Sequence, residues 1–195
     1  MESPPSRKQL THDRIVTTAA RAIRRGGFQG VGVADIMKEA GLTHGGFYAH
    51  FASRNALLAE ALACAGQEGA ARVSKAVALR RKQGASALRA LVEGYLAERH
   101  LGTSETMCEV AALASEMPRQ SPEVREAAAQ RVRGLVTLVE HSLPPDVPAT
   151  SASVIACQLV GALQLARALG DNAEGKALLA ASRDALLSHY DRPTD

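Results

Sequence analysis

An all-α fold is predicted, on three observations. Apolar residues recur at three- and four-residue spacing along most of the chain, and no alternating strand pattern, hairpin dipeptide or internal repeat interrupts them. The core must also be filled without large rings, because the 195 residues are 46% hydrophobic yet only 3% aromatic, with no Trp. Ala, Leu and Val therefore carry the burial, and Ala loses no side-chain entropy in a helix. The length suits one core with a small head and is too short for two full enzyme domains. With 22% charged residues the composition excludes a disordered tail or a collagen-like repeat.

The elements follow from the spacing. Pro4, Pro5 and Ser6 mark a loose N-terminal arm, after which Ile15, Ala19, Ala22 and Ile23 define a first helix stopped by Gly26 and Gly27. A short helix from Val33 to Ala40 ends at Gly41, a candidate left-handed C′ position. Thr43 can cap a further short helix containing Phe47 and Tyr48, and Ser53 opens a long one bearing Leu57, Leu58, Ala61 and Leu62, with Gly84 as the next strong stop. Leu88, Leu91, Val92, Tyr95 and Leu96 form the next stripe, before a break from His100 to Thr103. A segment from about Glu105 to Met117 is ended by Pro118. Ser121, Pro122 and Glu123 give an N-cap, a first-position Pro and an early acid, so a helix runs to about His141. Prolines 144, 145 and 148 make a connector, and two last helices are parted at Gly170, for about nine in all.

Charge is uneven although the formal net is only +3. Residues 1–55 hold eight basic side chains against four acids, and the remainder is near neutral, the layout of a protein that presents one end to phosphates; a chance cluster of solvated charges would look the same. Arg21, Arg24 and Arg25 read as a solvated helix face adding long-range attraction. Cys64, Cys108 and Cys157 are far apart, so neither a disulfide framework nor a CxxC metal site is suggested, and reduced thiols in a cytoplasm fit best. The N-terminus is no signal peptide, and no run approaches the ~18 apolar residues of a membrane span. The histidines lack zincin or di-iron spacing, and no nucleophile elbow, P-loop or dinucleotide fingerprint is present, so no metal, cofactor or catalytic residue is expected. Glu98, Arg99 and His100 read as ordinary charges at a helix end.

Residues 33–51, VADIMKEAGLTHGGFYAHF, read as helix, Gly-containing turn, helix. Ile36, Ala40, Leu42, Phe47 and Phe51 can form the small core that fixes a steep crossing, leaving Thr43, His44 and Gly45 at the exposed start of the second helix. Gly45 and Gly46 each cost roughly 1 kcal/mol relative to Ala in a helix, which makes sense where backbone must approach another surface. This stretch resembles the tetracycline-repressor (TetR) family of bacterial transcription regulators, on Gly27 and Phe28, on AGLTHGGFYAHF from Ala40 to Phe51, and on SRNALLAEAL from Ser53 to Leu62. A weaker likeness to one branch of that family lies in YLAERH from Tyr95 and CEVAALASEM from Cys108.

The resemblance implies a flexible arm over 1–10, a three-helix DNA-binding head over 11–52, and a helical ligand-binding and dimerisation body over 53–195. It implies a homodimeric repressor on a palindromic double-stranded DNA operator, released by an apolar small-molecule inducer, with no chemistry performed. It places Thr43, His44 and Gly45 against base edges, with Gly46 beside them, and Tyr48, His50 and Arg54 against phosphates; these side chains have the hydrogen-bonding capacity for both tasks. Without the resemblance, Tyr48 reads as packing and His50 as a surface residue. Three positions depart from the family pattern. Gly32 stands where a capping Ser or Thr is frequent, so its backbone N–H would meet phosphate; Met37 replaces a small Ala, which predicts wider packing; Arg54 replaces Lys and adds a bidentate fork.

Two further expectations concern the body. Cys108 is either a reactive thiol, making the protein a redox or electrophile sensor, or a small buried hydrophobe. Val154, Ile155, Leu159, Leu163, Ala166, Leu178, Leu179 and Leu186 are surplus apolar surface for a closely packed four-helix dimer interface, unless covered by the same chain. Apolar stripes over residues 86–169 can line a pocket or fill a core. The alternative outside regulation is a small all-α enzyme or carrier, which lack of salt-dependent DNA binding would favour.

Overall fold

Ser6 fixes where the chain becomes helical: its side chain accepts from the Gln9 N–H, and α1 follows as Arg7–Gly26. The computed structural model describes residues 4–102 and 105–191. Residues 1–3 of the expected arm lie outside the described residues, and residues 7–10 are the start of α1 rather than part of an arm, because Ser6 acts as a cap and not as a linker residue.

Helix α2 (Val33–Glu39) stops as expected at Gly41. That residue has φ +70°, and the Leu42 N–H reaches back to the Met37 carbonyl at 2.8 Å. The next element, His44–Ala49, is a 3₁₀ helix instead of an α-helix. Two adjacent glycines supply little helical propensity, and Thr43, extended at the cap position, gives no side-chain cap; the turn is closed by Gly46 N–H to the Thr43 carbonyl at 3.1 Å. Ser53 does cap, accepting from Ala56 N–H at 3.0 Å, and opens α3, Arg54–Arg81.

Ser86 caps α4 (Ala87–Tyr95). Part of the expected break is a helical turn, α5 (Arg99–Gly102), while Thr103 lies outside the described residues. The helix expected to Met117 is broken into α6 (Glu109–Leu113) and a 3₁₀ turn, Met117–Arg119, that contains Pro118. Then come α7 (Pro122–Glu140), α8 (Ser151–Leu169) and α9 (Ala173–Tyr190), the last capped by Asn172. Ser121 occupies the cap position of α7, but its hydroxyl finds no partner.

Two apolar clusters divide the chain, though not at residue 52. The first joins Ile15, Ile23, Phe28, Ile36, Phe47 and Phe51 to Leu57, Leu58 and Leu62 of α3, and also to Leu113, Met117 and Val124. The expected head boundary thus runs through a shared core, because the first turns of α3 complete the head. The second cluster packs α4, α6, α7, α8 and α9 around Leu88, Leu91, Val110, Val139, Ile155, Leu159 and Leu163. Helix α3 packs on α1 and α7, and α8 on α9.

That second cluster corrects the expected dimer residues. Ile155, Leu159, Leu163, Ala166, Leu179 and Leu186 are buried in their own chain, leaving Val154 at 51% exposure and Leu178 partly covered. Helix α8 is apolar on more than one face; periodicity reveals an apolar stripe but not which neighbour takes it. Its 19 residues are long and apolar enough to cross a membrane by length and composition, contrary to the expectation of no such run, yet Ile155, Leu159 and Leu163 pack in the core. A charge introduced there should act on folding: Leu163→Arg is expected to cost more than about 3 kcal/mol in urea unfolding, with loss of near-ultraviolet circular dichroism, as an unpaired charge enters the core.

Candidate nucleic-acid interface and body cavity

Phe47 is buried and stacks on Phe51 with ring centroids 5.5 Å apart, which pins the 3₁₀ helix to the head. Pinning turns its other face outward. Thr43, His44 and Gly45 are exposed, and Tyr48, edge-on to Phe47 at 5.2 Å, is 72% exposed, so its hydroxyl is presented to solvent rather than packed. Gly46 sits over the buried Met37, whose methyl would lie 3.7 Å from a Cβ at that position. The extra bulk of Met37 is therefore met by a glycine. His50 is half-buried beside Phe51 and His12, and its Nδ1 has no partner, leaving Nε2 as the atom able to face outward.

Two residues expected on phosphates are placed otherwise. The Arg54 guanidinium donates from Nη2 to the carbonyls of Phe28 and Val31, the latter at 3.2 Å, and so ties the start of α3 to the loop between α1 and α2. Arg54 thus braces the head through Nη2, on carbonyls of the loop that follows α1, while remaining partly exposed. Gly32 is exposed at the start of α2, but the Asp35 carboxylate folds beside it, 3.0 Å from where a Cβ would stand. A negative group already occupies the space at that helix end.

Of the basic cluster on α1, Arg21 and Arg25 are exposed as expected, but Arg24 is not. Arg24 is only 3% exposed; its Nε donates to the Ala20 carbonyl at 3.0 Å and its Nη2 to Glu68 of α3 at 2.7 Å. Arg25 bridges Glu39 at 2.8 Å and Glu105 at 2.7 Å, which holds its guanidinium pKa above the usual value. The Glu116 carboxylate accepts from Phe28 N–H at 2.9 Å, beside Gly27 at φ +74°, where a Cβ would collide with it. Head and body are joined by these contacts. One step further, Arg72 lies 3.8 Å from Glu68 and donates to the Thr106 carbonyl at 2.9 Å.

Arg72 also lines a half-open cavity of about 240 Å³ between α3, α4 and α7, with Arg99, His100, Thr106 and Cys108 also in its wall. Leu91, Leu135 and Leu138 form apolar wall, while Arg72, Arg99, Arg131, His100 and Glu109 bring charge and polarity. Burial raises the Glu109 pKa against the opposing pull of Arg131, Arg24 and Arg72, and burial with Arg99 lowers that of His100, which is neutral at pH 7. Tyr95 is buried with no nitrogen or oxygen partner for its hydroxyl, which lies beside the Cys108 thiol, and burial holds its pKa well above the usual phenol. Arg99 and His100 were missed in the sequence because nothing in their spacing separates a cavity wall from an exposed helix end.

Cys108 lies in this wall beside Tyr95, and its thiol pKa is pushed up to about 11 by burial and by Glu109. A thiolate-based sensor needs the opposite shift, so the electrostatics favour packing in the cavity wall over a sensor role for the half-buried Cys108.

Residues 15–61 match the family described as bacterial regulatory proteins, tetR family. Two HTH-type transcriptional regulators of Mycobacterium tuberculosis, Rv0196 of strain H37Rv and MT0206 of strain CDC 1551, are each 29% identical over 174 residues, spanning 84% of this chain and 87% of theirs. A TetR-family regulator from Agrobacterium tumefaciens superposes with a TM-score of 0.74 at 23% identity, over 94% of this chain and 98% of that one. The reduced form of Escherichia coli NemR gives 0.68 at 21% identity, over 89% and 95%.

Two outcomes are expected. Glu68→Ala should lose about 2 kcal/mol in denaturant unfolding by stranding buried Arg24, a figure discounted for the partial exposure of Glu68, whereas adding Arg24→Met should recover most of it. Cys108 should be alkylated far more slowly than a free cysteine near neutral pH, as mass spectrometry of labelled peptides would show, since fewer than about one thiol in a thousand is ionised there.

Proposed function

Because the chain belongs to the tetR family of bacterial regulatory proteins, we propose that it is a cytoplasmic, ligand-responsive repressor that binds a palindromic operator as a homodimer and performs no chemistry. The observation that carries this reading is the short ionic path from Arg24 in the head through Glu68 to Arg72 in the cavity wall.

At the DNA, Thr43 and His44 read base edges, Gly45 and Gly46 allow close backbone approach, and Tyr48 and His50 hold phosphates. Gly32 offers a backbone N–H at the same end of the head, weakened by Asp35. Arg54 acts by positioning the loop that carries Gly32, not by touching DNA.

For the dimer, the outward face of α8 is the surface with apolar area to spare. Val154 and Leu165 are 51% and 61% exposed, Leu169 lies on the same side, and Gly161 and Ala168 allow close helix approach. Two copies joined there through α8 and α9 form a closed two-fold bundle that presents two recognition elements to successive half-sites.

A molecule in the cavity shifts the head only through its unequal affinity for the two placements. Arg72 is where it makes the difference, since a group that draws Arg72 away from Glu68 changes the partner left to Arg24.

An operator selected from random DNA tests this. Tyr48→Phe should weaken binding by about 1.5 kcal/mol across all sequences, whereas His44→Ala and Thr43→Ala should each relax preference at particular positions by about 1–3 kcal/mol. An unchanged consensus for His44→Ala removes it from the bases. Val154→Arg should sediment as a folded monomer at micromolar concentration and lose operator affinity with the head untouched; a variant that stays dimeric removes the α8 face.

A further inference from the structure

Resting on the reading that the body cavity holds the inducer, we infer that its ligand is a small amphipathic organic acid, with its carboxylate held by Arg131 and Arg72 and its hydrocarbon lying on Leu91, Leu135 and Leu138. The apolar inducer expected from the sequence is thereby replaced by an anion.

Charge decides the sign. Arg72, Arg99 and Arg131 line the cavity against the single carboxylate of Glu109. His100, neutral, adds nothing to either side, and Glu109 is already offset by Arg131, Arg24 and Arg72. A cationic ligand would meet an excess of guanidinium; an anion would relieve it.

Two wall groups ask for an acceptor. The Tyr95 hydroxyl is buried with no nitrogen or oxygen partner, only the Cys108 thiol beside it, and because its phenol stays protonated it can donate. Arg131 makes no hydrogen bond to another described residue; its Nη1 occupies a notch over Gly66 that a Cβ would fill, with Glu109 Oε1 3.1 Å from that same point. A ligand entering the cavity displaces water from such groups and must replace its hydrogen bonds. Hydrocarbon cannot. A carboxylate can take both the guanidinium fork and the phenol.

The volume sets the size. About 240 Å³ equals the liquid volume of about eight waters, which admits one ring or a short chain besides the carboxylate. Leu91, Leu135 and Leu138 give such a tail an apolar bed and exclude a ligand polar all round.

Titration calorimetry on the full chain with benzoate, benzamide and benzylamine, and with octanoate, octanamide and octylamine, tests the inference. At least one carboxylate should bind, about tenfold or more tightly than its amide and amine. Arg131→Gln should reduce carboxylate binding by a similar factor. So should Gly66→Ala, which favours the helix yet displaces Arg131 from its notch, and neither variant should melt below the wild type without ligand. The inference is overturned if an amide or amine binds as well as its carboxylate, if Arg131→Gln binds the carboxylate unchanged, or if no carboxylate binds at millimolar concentration. Operator binding measured alongside separates it from the repressor reading. Selective carboxylate binding that leaves operator affinity untouched supports the ligand class and defeats induction; operator release by amides or amines as readily as by carboxylates supports induction and defeats the class.

Discussion

The ion pair between Arg24 and Glu68 is the constraint on which the rest of the structure depends. A guanidinium only 3% exposed at the end of α1 can be there only because Glu68 of α3 comes within 2.7 Å and the Ala20 carbonyl takes a second N–H. Those contacts fix the register of α1 on α3. Burying such a pair seldom adds net stability over well-packed hydrocarbon of the same size, since desolvation consumes most of the attraction. Its effect here is positional: it holds the head at one place on the helix that also walls the cavity.

Helix α3 makes this coupling mechanical as well as electrostatic. Its first turns complete the head core through Leu57, Leu58 and Leu62, and its middle carries Gly66, Gly69 and Arg72 into the cavity. A second tie comes from the segment around α5 and α6, where Glu105 meets Arg25, Thr106 accepts from Arg72, and Glu116 accepts from Phe28 N–H. Arg72 and Thr106, one from each tie, line the cavity, so a change in the head's seat that moves either one alters the cavity wall. Recognition and sensing are consequently joined in one chain of contacts, although no residue serves both.

Much of this was legible in the sequence, and the illegible parts share a cause. Gly41 and Ser53 announced their roles because turn and cap chemistry is local. Thr43, His44 and Gly45 emerged as an exposed set because Phe47 and Phe51, at helical spacing, had to face the other way, whereas Tyr48 joined them only through the resemblance to the TetR family. Arg24 did not, because a charged residue among charged residues gives no sign that Glu68, 44 positions on, will bury it. The bonds of Arg54 to Phe28 and Val31 were hidden for the same reason, their acceptors being carbonyls in a loop. Helix α8 offered two apolar faces, and only the fold shows that Ile155, Leu159 and Leu163 turn inward while Val154 and Leu165 do not. Cys108 carried a chemical possibility that depended wholly on its surroundings, in which burial and Glu109 disfavour the thiolate.

Amide hydrogen exchange on the intact protein, comparing the wild type with Glu68→Ala, tests most directly whether the Arg24, Glu68 and Arg72 contacts couple head to cavity. The account predicts faster exchange in two places remote in sequence from position 68: the last turns of α1, residues 20–26, and the segment at residues 105–113, which contributes Thr106, Cys108 and Glu109 to the cavity wall. Faster exchange confined to the turns of α3 around residue 68 would contradict it.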